Sequence, residues 1–134
     1  MQLIMIKPQI LFQLLLQVWE VNIIINIIME LIYNKLIPFK PFAAINLFGF
    51  VFARKEYKPL YERTLNHERI HTEQMKEMLY IFFYLWYLIE WIVKLFIYGK
   101  KSYNNISFER EAYQYDRYAD YVQFRKKYNW IKHL

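Results

Sequence analysis

The 134-residue chain contains no cysteine and only two glycines. Without cysteine it can form no disulfide framework, no thiolate metal ligand and no cysteine nucleophile, so any metal must be held by histidine and carboxylate side chains. The net charge is +6, yet Lys and Arg form no long run, so we do not expect nucleic acid as a partner. The basic residues flank apolar segments instead, a pattern that favours attraction to anionic lipid head groups.

More than half of the chain is hydrophobic (57%), and 21% of its residues are aromatic. These fractions exceed what a soluble domain usually carries. We therefore expect the protein to be attached to a membrane, with lipid as a partner, and an apolar partner protein is the alternative. Integral and peripheral attachment are both compatible with this composition.

Residues 1–37 are predicted to form an apolar N-terminal helix rich in Ile and Leu. Polar stripes at helical spacing make it either a weak membrane anchor or an amphipathic helix that packs on a surface. The composition also allows Met29 to be the true start of translation, in which case residues 1–28 are a non-native extension. The sequence leaves these readings open.

Residues 38–134 are predicted to form the main domain. Two prolines end the N-terminal helix, and the β-prone residues 44–52 predict one or two short strands. Thr64 is a candidate cap for the next helix, which we expect to cover residues 66–79.

An almost uninterrupted apolar helix is predicted over residues 78–98, and its length would span a bilayer. One straight helix over residues 64–98 would be about 50 Å long at 1.5 Å per residue, too long for a small domain, so we expect a break near residues 80–84. Within the apolar segment Glu90 has Lys94 at the i+4 position, which predicts an ion pair.

The strongest functional signal is the HExxH motif at residues 67–71, which holds two of the three histidines. In a helix, residues i and i+4 share a face, so His67 and His71 can present two imidazole nitrogens to one metal ion. Glu68 lies about 100° away around the helix, where it can act as a general base on water at the metal. Gln74 also lies on the histidine face, and we expect it to be an ordinary surface residue.

A catalytic zinc site needs a third protein ligand, and without cysteine a carboxylate is the expected choice. The last predicted helix, residues 107–127, offers Glu109 and Glu111, which point to different faces, so only one of them can serve. Ala112 shares a face with Glu109, and its small side chain lets this helix approach the motif helix closely. We therefore prefer Glu109 and keep Glu111 as the alternative.

Two segments carry a resemblance to known proteins. Asn66–His71 together with Ser107–Tyr113 resembles the motifs of the gluzincin zinc metallopeptidases. The resemblance is closer to a family of small bacterial metallopeptidase-like proteins of uncharacterised activity, and it covers roughly residues 44–134. It implies a zincin-like fold and a location at the bacterial inner membrane.

The resemblance also implies a Zn²⁺ site with a general base beside it. Its ligands would be His67, His71 and Glu109, and its base would be Glu68. The chain departs from the gluzincin pattern at one position, because many gluzincins place an Asp four residues after the ligand Glu to orient a histidine. Here that position is Tyr113. Either the Tyr113 hydroxyl or Asp116, about one turn further on, is expected to take this role.

Together these observations predict a mostly α (α+β) protein. Its zincin-like minimal domain would contain the HExxH helix, a short β element and a C-terminal Glu-bearing helix, preceded by the apolar N-terminal helix. The predicted function is zinc-dependent hydrolysis of peptides or proteins at a membrane. The alternative is a non-catalytic helical membrane protein with a structural or vestigial metal site. A closed four-ligand shell would favour the alternative, and an open position facing a groove would favour the enzyme.

Overall fold

The computed structural model describes residues 30–134 and, before them, Gln13 alone. Three strands come first, β1 (Leu31–Asn34), β2 (Ala44–Leu47) and β3 (Phe50–Arg54). Four helices follow, α1 (Glu62–Glu77), α2 (Ile81–Tyr98), α3 (Ser107–Tyr115) and α4 (Tyr121–Phe124). Short 3₁₀ turns connect or end these elements. Helices dominate, so the expected mostly helical α+β class is confirmed.

Apart from Gln13, residues 1–29 of the predicted N-terminal helix lie outside the described residues. Its last part is described, and there the prediction is wrong, because Leu31–Asn34 form β1 and pair in parallel with β3. Ile32 and Tyr33 have side chains that favour a strand. Their hydrogen-bonding partner, β3, lies about twenty residues further along the chain. The periodicity of a local segment cannot predict such a pairing.

The sheet has the strand order β1–β3–β2, with β2 antiparallel to the central β3. Val51 and Ala53 on β3 are fully buried. Phe48 and Gly49 form a two-residue turn between β2 and β3, and both have positive φ, 54° and 90°. A turn of this kind matches the twist of a hairpin. The prediction of one or two short strands in this region is therefore confirmed, and two are present.

The outer edge of β2 carries hydrogen-bonding groups without a strand partner in residues 30–134. Alternate residues of an antiparallel pair exchange hydrogen bonds. The Arg54 N–H donates to the Ala43 carbonyl (3.0 Å), so residues 43 and 54 form a hydrogen-bonded pair. Because such pairs occur at every second residue, Ile45 and Leu47 of β2 also bond to β3. The N–H and C=O groups of Ala44 and Asn46 consequently point away from β3.

α1 carries the HExxH motif in its middle and begins earlier than predicted. Tyr61 occupies the cap position, and no side chain caps the helix. The Leu65 N–H already donates to the Tyr61 carbonyl (3.1 Å), so Thr64 lies inside the first turn and is not the cap.

The expected break in the long helical region is present at residues 78–80, slightly before the predicted position. Leu79 and Tyr80 adopt positive φ values of 50° and 59°. The Tyr80 N–H donates to the Met75 carbonyl (2.8 Å), which closes α1 with the hydrogen bond of a Schellman motif. The chain then reverses direction into α2.

One face of α2 packs along its length on the rest of the domain. The buried core of this contact consists of Met75, Phe83, Ile106, Phe108 and Trp130. Further along α2, Glu90 is buried and lies 2.7 Å from Lys94 Nζ, so the predicted ion pair is confirmed. Glu90 also accepts hydrogen bonds from the Ser107 N–H (2.8 Å) and hydroxyl (2.6 Å), which fixes the start of α3 against α2.

The last predicted helix is wrong in length, because α3 ends at Tyr115 and α4 has only four residues. Asp116 directly after α3 is buried, and its carboxylate accepts a hydrogen bond from Arg63 of α1 (2.9 Å). The chain turns at this contact and folds back, so that Trp130 packs on Phe108 with ring centroids 4.7 Å apart.

Candidate metal centre

Three buried side chains bring their acceptor atoms together between α1 and α3. His67 and His71 lie one turn apart, with their Nε2 atoms 3.0 Å from each other. Glu109 places Oε2 3.2 Å from His67 Nε2 and Oε1 3.4 Å from His71 Nε2. The three ligating atoms lie within 4.8 Å of one another, so this group can hold a metal ion.

Hydrogen-bond polarity shows which nitrogen of His71 faces this cluster. The Gln74 amide nitrogen lies 2.9 Å from Glu111 Oε2 and 3.1 Å from the Phe108 carbonyl. Both of these groups are acceptors, so the Gln74 NH₂ points towards them and its Oε1 faces His71 Nδ1, 2.7 Å away. Nδ1 therefore carries a hydrogen, and Nε2 of the neutral ring presents its lone pair to the cluster.

Glu111, the alternative third ligand, lies in a separate buried network behind His71. Besides the Gln74 hydrogen bond, its carboxylate accepts hydrogen bonds from Tyr121 (2.8 Å), Arg125 (2.7 Å) and Asn129 (3.2 Å). Arg125 also pairs with Glu77 at the end of α1. The structure thus brings Glu109 to the two histidines, while Glu111 supports His71 through Gln74.

Polar atoms this close together need either an imidazole proton or a metal ion between them. Glu109 Oε2 receives no hydrogen bond of acceptable geometry within residues 30–134, although His67 Nε2 lies 3.2 Å away. Burial lowers the pKa of His71, but the Glu109 carboxylate outweighs this effect and raises the pKa to about 9. Burial raises the pKa of Glu109, and the two histidines hold it well below its usual range. Without a metal ion, a proton on His71 therefore supplies positive charge to the cluster.

The surroundings of the cluster come from α2 and from the end of α3. The Tyr87 hydroxyl donates to Glu109 Oε1 (2.9 Å), so α2 helps to hold the third carboxylate. The Tyr113 ring packs on the His67 ring with centroids 4.6 Å apart. Asp116 Oδ2 lies 3.7 Å from His67 Nδ1, too far for a hydrogen bond but close enough for attraction. Asp116 therefore supplies the carboxylate beside His67, and Tyr113 covers the ring.

Glu68 borders the cluster on its open side. Its carboxylate has no hydrogen-bond partner within the described part of the chain, although the side chain is buried. Its backbone carbonyl accepts a hydrogen bond from Asn46 Nδ2 (2.9 Å), which ties β2 to the motif helix. Burial raises the pKa of Glu68, against the opposing effect of the two histidines. A free carboxylate with a raised pKa is suited to accept a proton.

Two hollows meet at His67 and Glu68. The apolar hollow has a volume of about 260 Å³ and lies between β2 and α2. Its walls include Phe42, Ile45, Phe83, Tyr84 and Tyr87. The polar hollow has a volume of about 380 Å³ and lies at the N-terminal end of β2. Its walls include Ala44, Arg63, Thr64, Tyr113 and Asp116.

Three residues of the site were not predicted from the sequence. Gln74 was expected on the surface and is fully buried, so that expectation is wrong. The available signal was its position on the histidine face, three residues after His71. Asn46 was also detectable in principle, because an amide inside a β-prone run needs a hydrogen-bond partner when it is buried. Nothing distinguishes Tyr87 from the other aromatic residues of its apolar segment.

No protein-family model, curated protein or solved structure matches the chain. The likeness to the gluzincins accordingly depends on the two short motifs, and what this site can do has to follow from its own geometry.

Zinc binding should release a proton, because metal and proton compete for His71 Nε2. With a pKa of about 9, His71 is protonated in the metal-free protein at pH 7.5. We expect release of about one proton per zinc ion at that pH, and an apparent affinity that rises as the pH increases towards 9. Titration calorimetry in two buffers of different ionisation enthalpy measures the release. Affinity independent of pH between 7 and 9 would contradict this view of the site.

Gln74→Met should weaken zinc binding, because it removes the acceptor that fixes the His71 ring. Loss of such an orienting partner costs about 10- to 100-fold in metal affinity. Competition with a chromophoric chelator measures the change. Gln114→Met is the matched control, since Gln114 lies exposed on α3. Equal zinc affinity of the two variants, both folded by circular dichroism, would show that Gln74 does not position the histidine.

Proposed function

We propose that the protein is a zinc-dependent peptidase attached to a membrane. The observation that carries this proposal is the combination of a three-ligand cluster with an unpartnered Glu68 on a cleft. Within residues 30–134 the group contains no fourth histidine, cysteine or carboxylate. Structural zinc sites close their shell with four protein ligands, whereas catalytic sites keep one position open.

The donor set favours zinc among the common metals. Two imidazoles and one carboxylate form the ligand set of several catalytic zinc sites. Calcium and magnesium prefer shells made of oxygen ligands, which the two histidines do not provide. Zinc held by His67, His71 and Glu109 would supply a Lewis acid that polarises a carbonyl and makes water more acidic.

In this proposal, Glu68 would transfer the proton during peptide hydrolysis. Its carboxylate would accept a proton from the attacking water and then pass it to the leaving amine. The free acceptor capacity of Glu68 supports the first of these steps. The wall of apolar side chains excludes bulk water from one side, which strengthens electrostatic interactions in the cleft.

The free edge of β2 supports an extended peptide as the substrate. Ala44 and Asn46 point N–H and C=O groups away from β3, and both residues line the apolar hollow next to the motif helix. A peptide that pairs with this edge gains main-chain hydrogen bonds, and pockets beside it can select its side chains. We therefore expect a substrate that is extended and carries apolar side chains around the bond to be cut.

Glu68→Gln should retain zinc and lose peptidase activity, because an amide cannot accept the proton of water. His71→Ala should lose zinc as well as activity. Zinc content by mass spectrometry and turnover of a fluorogenic apolar peptide measure the two effects. Retained hydrolysis in Glu68→Gln would exclude Glu68 as the base. Loss of folding in His71→Ala, with no activity in any form, would instead indicate a structural metal.

The site of membrane attachment in this proposal is α2. This helix is long and apolar enough to cross a membrane. Its outward face is a continuous apolar stripe, composed of Leu85, Leu88, Ile89, Ile92 and Phe96, each at least 43% exposed. Lys100 and Lys101 follow this stripe and are suited to anionic head groups.

The packing of α2 favours an orientation in the plane of the membrane surface. Phe83, Glu90 and Lys94 contact the domain over most of the helix, which is about 27 Å long at 1.5 Å per residue. A perpendicular orientation would draw α1 and its charged side chains into hydrocarbon at high cost. An orientation on the surface buries the apolar stripe and leaves the charged helices in water.

Phe96→Glu should weaken binding to anionic lipid vesicles, because it places a charge at the most exposed position of the apolar stripe (86%). We expect a loss of roughly tenfold or more in vesicle affinity. Phe124→Glu is the control, since Phe124 is also exposed (75%) but lies on α4, away from the stripe. Sedimentation with vesicles measures both variants. The same loss in both, or in neither, would contradict docking through α2.

A further inference from the structure

The polar hollow contains an arginine whose terminal nitrogens have no partner within residues 30–134. Arg63 lies one helical turn before His67, so both side chains are on the same face of α1. Its Nε donates to Asp116 Oδ1 (2.9 Å), and its side chain remains 52% exposed. The hydrogen bond to Asp116 orients the guanidinium and leaves the Nη1 and Nη2 groups free to donate.

The free Nη donors of Arg63 give the polar hollow one place that suits an anionic group. Among the described residues, Arg63 is the only Lys or Arg in its wall, which also contains His67 and two carboxylates. Asp116 is buried and already bonded to Arg63, while Glu68 lies at the other side beside His67. A carboxylate is the group that fits the planar pair of Nη donors best, since it can accept two parallel hydrogen bonds.

The free edge of β2 gives the direction in which a peptide would lie. Antiparallel pairing is somewhat more stable per residue than parallel pairing. A peptide antiparallel to β2 runs with its carboxyl end towards Ala44, and Ala44 lines the polar hollow together with Arg63. The residues before the cleaved bond then lie in the apolar hollow, beside Ile45 and Tyr84.

We propose that Arg63 binds the C-terminal carboxylate of the peptide substrate, which makes the protein a carboxypeptidase that removes short C-terminal fragments. This inference rests on the proposed peptidase function and adds a substrate class to it. In the reaction, Glu68 accepts a proton from water as the water oxygen adds to the scissile carbonyl carbon. The C–N bond then breaks, and the leaving amine takes up this proton from Glu68. The released fragment keeps its carboxylate on Arg63.

Peptide binding can test the carboxylate site without any turnover. The protein is the zinc-loaded Glu68→Gln variant, and the probe is an N-acetylated apolar hexapeptide with either a free carboxylate or a carboxamide end. We expect the free acid to bind about tenfold tighter than the amide, as for a charge-assisted pair of hydrogen bonds. Adding Arg63→Met should abolish this difference. Adding Arg69→Met should preserve it, because Arg69 lies on the same helix but bonds to Glu62 and Asn66.

The comparison of acid with amide remains decisive even if Arg63→Met loses zinc or fails to fold, because it is made first in protein with Arg63 intact. Equal affinity for the two peptides in that protein would overturn the inference.

Turnover by the wild-type protein separates this inference from the proposed function. Hydrolysis of the free acid near its C-terminus, with a much lower kcat/KM for the amide, supports both. Equal kcat/KM for acid and amide would support the proposed peptidase function and overturn the role of Arg63. No hydrolysis of either peptide, together with preferential binding of the acid, would contradict the peptidase function and support the carboxylate-binding site.

Discussion

The convergence of three buried acceptors on one point is the constraint on which the rest of the structure depends. His67 and His71 reach this point from one helix and Glu109 from another. A buried carboxylate beside two imidazole nitrogens is costly unless a metal ion or an imidazole proton compensates it. The elements around them must therefore hold α1 and α3 together against local repulsion whenever the site contains neither metal nor proton.

The structure meets this requirement with hydrogen bonds outside the cluster itself. Gln74 joins α1 to α3 through Glu111 and the Phe108 carbonyl. Arg125, close to the end of the chain, bonds both Glu111 of α3 and Glu77 of α1. Because donors and acceptors in this network cannot exchange roles, its geometry also determines that the hydrogen of the neutral His71 ring lies on Nδ1. The C-terminal segment thus stabilises the candidate metal site without contacting its three ligand residues.

The sequence allowed the metal cluster to be predicted because its residues follow a spacing rule. The i, i+4 pair of His67 and His71 defines a face, and the small Ala112 beside Glu109 indicated which carboxylate could approach it. The partners of these residues could not be predicted in this way. Contacts such as that of Gln74 with Glu111 join positions far apart in the sequence, so a local sequence pattern cannot predict them.

The same distinction applies to the secondary structure. The strong β propensity of residues 44–52 was sufficient to predict short strands there, but not their pairing as a hairpin. β1 was missed because its pairing with β3 is nonlocal. The end of α1 was placed only approximately, because Leu79 takes a positive φ that usually indicates glycine or asparagine. The early end of α3 depends on the contact between Asp116 and Arg63, which only the folded chain reveals.

Charge balance connects the metal to the chemistry of Glu68. Without metal, Glu68 and Glu109 are two buried carboxylates that share the protonatable histidines, and the pKa values of Glu68 and His71 are both raised. In this state protons supply the missing positive charge. A divalent cation would displace the proton from His71 and favour the ionised form of Glu68, since a bound cation is the largest charge in such a site. The ion that completes the cluster would therefore also put Glu68 in the ionised form that accepts a proton from water.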